Sequence, residues 1–134
     1  MSRDKRRPMN PAQIPDDVQR FILLAIPSVP YLEALLLMRS ASDACWDAAT
    51  IAKRLYLNEK TAASLLNELH AAGVVASDAD GYRYRPHSPL LLQLIDRLAL
   101  IYASNLIGVS KLIHSKMSKK AQLFADAFVF RRES

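Results

Sequence analysis

LNEKTAASLLNELHAAGVV, running from Leu57 to Val75, is the stretch on which the fold turns. Ala62, Leu65, Leu66 and Leu69 recur at three- and four-residue spacing, which places them on one face of a helix. Asn58 stands just before that run as an N-cap, with a side-chain oxygen able to accept a backbone N–H that the first turn leaves unpaired. Gly73 closes the helix, because glycine enters the left-handed conformation of a C′ residue at little cost. The outward face carries Lys60, Thr61, Ser64 and Asn67, and with them Glu59 and Glu68.

Working upstream, AATIAKRL (48–55) follows a second N-cap, Asp47, and has Ile51, Ala52 and Leu55 on one face. Before it, a start at Ser28 to Pro30 leads into YLEALLLMRS, a core helix with Leu32, Leu35 and Leu36 in its stripe and Ser42 and Asp43 as its exit. Pro15, Asp16 and Asp17 open an earlier helix through Val18, Phe21, Ile22 and Ala25, which Pro27 ends. Downstream of Gly73 the period changes. VVASDADGYRYR gives a short apolar run, an Asp80-Gly81 turn and the alternating Tyr82, Arg83, Tyr84, Arg85, which together predict a small hairpin.

Ser88 and Pro89 form an N-cap and first-turn pair, and no proline follows before Met117. A continuous helix there would be about 42 Å long. Leu91, Ile95, Leu98, Tyr102, Asn105, Val109 and Leu112 alternate in steps of four and three, the seam of a helix packed along another helix and a predicted dimer face. Asn105 within that seam reads either as a satisfied surface residue or as a buried polar residue fixing register, and Gly108 marks a close crossing or a bend. A terminal helix from Ser118 carries Leu123, Phe124, Ala127 and Phe128 on one face, and Phe124 and Phe128 are expected to join the dimer region. The organisation predicted is a basic arm over 1–14, a helical domain with its hairpin over 15–87, and a dimerisation region over 88–134.

With 134 residues and 51% hydrophobic content, the chain suits one domain of ordinary size. The single Cys45 excludes an intramolecular disulfide framework and points to a reducing cytoplasm; it reads as a buried neighbour of Trp46. LALIYASNLIGVS, the longest uncharged apolar stretch, has 13 residues where a bilayer needs roughly 20, so membrane insertion is not expected. His70, His87 and His114 have no metal-site spacing with Cys45, and no phosphate loop or nucleophile elbow is present. No metal, cofactor or enzymatic activity is expected.

The net charge of +5 is unevenly placed. Residues 21 to 110 hold seven Lys/Arg against eight Asp/Glu, a net of −1, whereas 1 to 20 carry +2 and 111 to 134 carry +4. The basic character lies at the ends, in Arg3, Lys5, Arg6 and Arg7 and in the Lys119-Lys120 and Arg131-Arg132 pairs. A polyanion partner is suggested mainly for those ends.

The order helix, helix, turn, helix, hairpin is that of a winged helix, and TIAKRLYLNEKTAASLLNELHAAGVV closely resembles that part of bacterial winged-helix transcriptional regulators. The flanking helices resemble the MarR-type dimeric arrangement, and KAQLFADAFVFRRE is similar to the tail of small bacterial winged-helix proteins. The resemblance spans residues 29 to 86 and, more loosely, 89 to 134. It implies a mainly α fold: a winged helix-turn-helix with a three-helix core, a small wing, and long C-terminal helices for dimerisation. It further implies a homodimeric, sequence-specific transcriptional regulator that binds double-stranded DNA. Lys60, Thr61, Ser64 and Asn67 would face base edges or phosphates, with Lys53, Arg83, Arg85 and the basic arm adding backbone contacts. Two positions depart from the pattern: Ser64, where such regulators often have arginine, and Tyr56, where the turn commonly has glycine and a remodelled turn is expected. Acidic Asp78 and Asp80 at the wing tip favour the alternative, a winged-helix module that binds another protein and leaves DNA alone.

Overall fold

Each helix start read from the sequence in residues 13 to 116, the span described by this computed structural model, coincides with a helix N-terminus. Helix α1 (Asp16–Ala25) follows Pro15, and α2 (Val29–Ser40) follows Ser28, whose Oγ accepts the Tyr31 N–H at 3.2 Å. Asp47 accepts from Thr50 at 2.8 Å to open α3 (Ala48–Leu55), and Asn58 accepts from Thr61 at 2.7 Å to open α4 (Glu59–Ala71). Ser88 does the same for α5 (Pro89–Ser104), accepting from Leu91 at 3.1 Å. Each cap satisfies a donor the first turn cannot, worth about 1 kcal/mol. The Thr50 N–H also holds the Asp47 carboxyl below its ordinary range.

The chain is mainly helical with one two-stranded antiparallel sheet among the described residues. In the unit Ser28–Leu100, α3 packs on α4, and α2 packs on both. Leu32, Leu35, Met38, Ile51, Leu66 and Leu69 are fully buried there, each contributing about 1.5–3 kcal/mol relative to exposure. Strands β1 (Val75–Asp78) and β2 (Gly81–Tyr84) pair with Val75 opposite Tyr84 and Asp78 opposite Gly81. Ala79 and Asp80 form the loop, and neither has positive φ; the left-handed residue is Gly81, at φ 137°. The turn is therefore one residue earlier than Asp80-Gly81. Trp46 adds a further rung, exchanging backbone hydrogen bonds of 2.8 and 2.9 Å with Tyr82. A Cβ on Gly81 would sit 2.6 Å from the Trp46 carbonyl oxygen, so only glycine fits this crossing.

The long helix expected from Pro89 to Met117 is broken. Helix α5 ends at Ser104, a further helix α6 (Leu106–Lys116) begins after Asn105, and the chain turns by 113° at the break. Asn105 causes it by serving both helices. Its N–H donates to Ile101 O at 2.7 Å, its carbonyl accepts from Val109 at 3.1 Å, and its Oδ1 takes the Gly108 N–H at 3.0 Å. Asn105 is thus the cap of α6 and not a register residue in a seam. Ile95, Leu98 and Val109 are fully buried within this single chain, and Leu91, Tyr102 and Leu112 are half-buried. At Ile95, Leu98 and Val109 the four-and-three spacing therefore coincides with burial inside the chain itself.

The second unit combines segments before Ser28 and after Leu100, including α1 and α6, with Val18, Ile22, Ile26, Val109 and Ile113 buried. Within the unit Ser28–Leu100, Arg39 of α2 and Asp96 of α5 pair at 3.0 Å. The expected arm residues Arg3, Lys5, Arg6 and Arg7, and Phe124 and Phe128, lie outside the described residues. Among the described residues no single helix is long and apolar enough to cross a membrane.

Candidate nucleic-acid interface

Helix α4 buries Ala62, Leu65, Leu66 and Leu69 against α2 and α3, and that burial turns the opposite side outward. Lys60, Thr61, Ser64 and Asn67 are all exposed there. Steps of three and four place Lys60, Ser64 and Asn67 on one stripe. Tyr82 of β2 donates its hydroxyl to Asn67 Oδ1 over 3.4 Å and meets the His70 ring edge-on at 6.0 Å, so the hairpin is laid beside this stripe. A hydrogen bond that long and exposed is weak, and an adenine amino group can displace it. Glu59 and Glu68 remain exposed. The charge of Glu68 reaches Tyr31 on α2, whose pKa is pushed up to about 12, first by burial and then by that carboxylate. Glu68 therefore stands on the α2 side of the stripe.

The turn between α3 and α4 keeps its left-handed residue. Tyr56 sits at φ 58°, ψ 45°, the only non-glycine with positive φ among the described residues, and its N–H donates to the Ala52 carbonyl. The expected remodelling does not occur, because the caps on both sides fix the path and tyrosine adopts the glycine conformation. Its side chain is 95% exposed.

The hairpin is less basic than its sequence. Arg83 pairs through Nε with Asp78 at 3.2 Å and donates from Nη1 to the Asp43 carbonyl at 2.9 Å. Asp78 is held below the usual carboxylate range, first by the Asp80 N–H and then by Arg83. Arg83 is thereby engaged by its own chain, and a phosphate contact from it would have to compete with this pairing. Arg54 lies over the Trp46 ring at 5.7 Å. Lys53, Lys60 and Arg85 are exposed and have no ion-pair partner among the described residues.

The structure thus gathers Lys60, Thr61, Ser64 and Asn67 on one exposed helix face with Tyr82 at its margin, and pairs Arg83 within its own chain. The roles of Tyr82, Arg54 and Trp46 escaped sequence reasoning. A one-rung pairing such as Trp46 with Tyr82 leaves no periodic trace, and its only signal was the aromatic pair at the start of α3 and on β2. Comparison of the chain with known protein families, curated proteins and solved structures finds no match.

Proposed function

We propose that residues 29 to 86 form a winged helix-turn-helix and that the protein is a homodimeric DNA-binding transcriptional regulator. The observation that carries this reading is the exposed stripe Lys60, Ser64 and Asn67 on α4, with Thr61 beside it and the hairpin alongside. These side chains match duplex chemistry: asparagine pairs with adenine in two hydrogen bonds, lysine serves guanine or phosphate, and serine and threonine accept either. Affinity then depends on Lys53, Lys60, Arg85 and the basic ends, because residues 21 to 110 are net acidic. The homodimer is supported by large apolar side chains left exposed in one unit, Leu24 at 79% together with Leu106 and Ile107. Leu106 and Ile107 of α6 are the proposed centre of the dimer face.

One observation favours a second reading. The Asp78–Arg83 pair and the Arg83 bond to Asp43 leave the wing without a free cation at its tip, as suits a module that binds another protein. Selection from a random duplex pool at low salt, with the full-length protein, separates the two. The DNA reading predicts an enriched consensus, and no retained duplex favours the protein-binding module.

A further inference from the structure

Tyr56 combines two properties that the fold itself does not reward. A non-glycine residue in the left-handed region is strained by contact between its Cβ and the following carbonyl, and Tyr56 holds that conformation at φ 58°. Strain of this kind is ordinarily offset by packing of the side chain, yet the Tyr56 ring is 95% exposed. Glycine or asparagine would satisfy the same turn with less strain. The chain therefore keeps a large amphipathic side chain where only contact outside the chain uses it.

Its surroundings indicate the contact. Tyr56 follows Lys53 by three residues and precedes Lys60 by four, at the junction from which the exposed side of α4 starts, and both lysines are exposed without an ion-pair partner among the described residues. A neutral hydroxyl donor flanked in sequence by two exposed lysines is complementary to a phosphodiester oxygen. On the reading that α4 approaches a duplex, we infer that Tyr56 is a backbone contact, its hydroxyl donating to a phosphate at the edge of the groove. Such a contact positions the helix without reading sequence.

This assignment has a signature that no lysine shares. An uncharged donor releases no counterion, so its loss lowers affinity at every salt concentration without changing the slope of log K against log salt. The test uses the full-length protein, a labelled consensus duplex from the pool selection and a scrambled duplex. Tyr56→Phe, which keeps the ring, is expected to weaken both by roughly tenfold, the value of a hydrogen bond to a charged group, with an unchanged salt slope. Lys60→Ala should instead flatten the slope by about 1. Tyr56→Asn, which tolerates the left-handed conformation, should bind as poorly as Tyr56→Phe and melt no lower than the parent. Parent-like binding by both variants overturns the assignment while leaving the DNA reading intact. Melting several degrees lower in Tyr56→Asn also overturns it, since the ring would then serve the fold. No duplex retained by the parent overturns the DNA reading itself.

Discussion

The side-chain oxygen of Asn105 accepts the backbone N–H of Gly108 at 3.0 Å, and a Cβ built on Gly108 would lie 2.4 Å from the Asn105 amide nitrogen. The cap of α6 and the missing side chain at Gly108 are two halves of one arrangement. Gly108→Ala would gain about 1 kcal/mol from helix propensity on a bare helix. Here it must displace a buried cap, and the expected net effect is destabilisation of about 1–3 kcal/mol. Asn105→Ala removes the cap and makes room, so the double variant should be less destabilised than the sum of the singles. Urea midpoints of the three proteins check this; additive losses would show that the two residues act separately.

Alkaline stability should report Tyr31. Burial and then the Glu68 charge raise its folded pKa to about 12 from an ordinary value near 10. The folded state therefore holds the phenol proton more tightly than the unfolded chain. This contribution is complete below pH ~10 and is lost as pH rises toward ~12. The loss should be on the order of 1–2 kcal/mol after discounting for solvent screening. Tyr31→Phe should flatten this part of the pH–stability curve; an unchanged curve would place the titrating group elsewhere.

Releasing Arg83 should strengthen duplex binding. Asp78→Asn removes the partner held at 3.2 Å and leaves the guanidinium free to turn toward a phosphate. The expected result is a several-fold gain in affinity and a salt slope steeper by about 1. Anisotropy titrations at several salt concentrations measure both, and a weaker complex would mean that the ion pair shapes the hairpin for binding.

Assembly should depend on the exposed apolar residues of α6. Leu106 and Ile107 are 54% and 67% exposed, and glutamate at either site should be tolerated by a monomer. The parent is expected to sediment as a dimer at concentrations on the order of tens of micromolar, and Leu106→Glu with Ile107→Glu as a monomer. A monomeric parent would remove the two-half-site picture of binding.

The sequence showed best what depends on near neighbours. Ser28, Asp47, Asn58 and Ser88 were readable as caps because their partners lie three residues away, and the α4 stripe was readable because helical spacing sorts its two faces. Asn105 was misread because an N-cap in the middle of an apolar stripe looks like a polar guest in a continuous helix. The pairing of Arg83 was not legible for a different reason. Its partners are Asp78 across the hairpin and the Asp43 carbonyl forty residues away, which no local spacing encodes. Tyr56 was legible as a residue of the turn between α3 and α4, whereas its 95% exposure was not.

On the proposed function, α4 reads the duplex through Asn67, Ser64 and Lys60. The most direct test is the base preference of Asn67→Ala, measured position by position on the duplex enriched by the full-length parent. Loss of discrimination at one or two base pairs, each about 1–3 kcal/mol, with the remaining positions unchanged, is the predicted result. A protein carrying Lys60→Ala, Ser64→Ala and Asn67→Ala together that keeps the parent's affinity and preference at every position would contradict it.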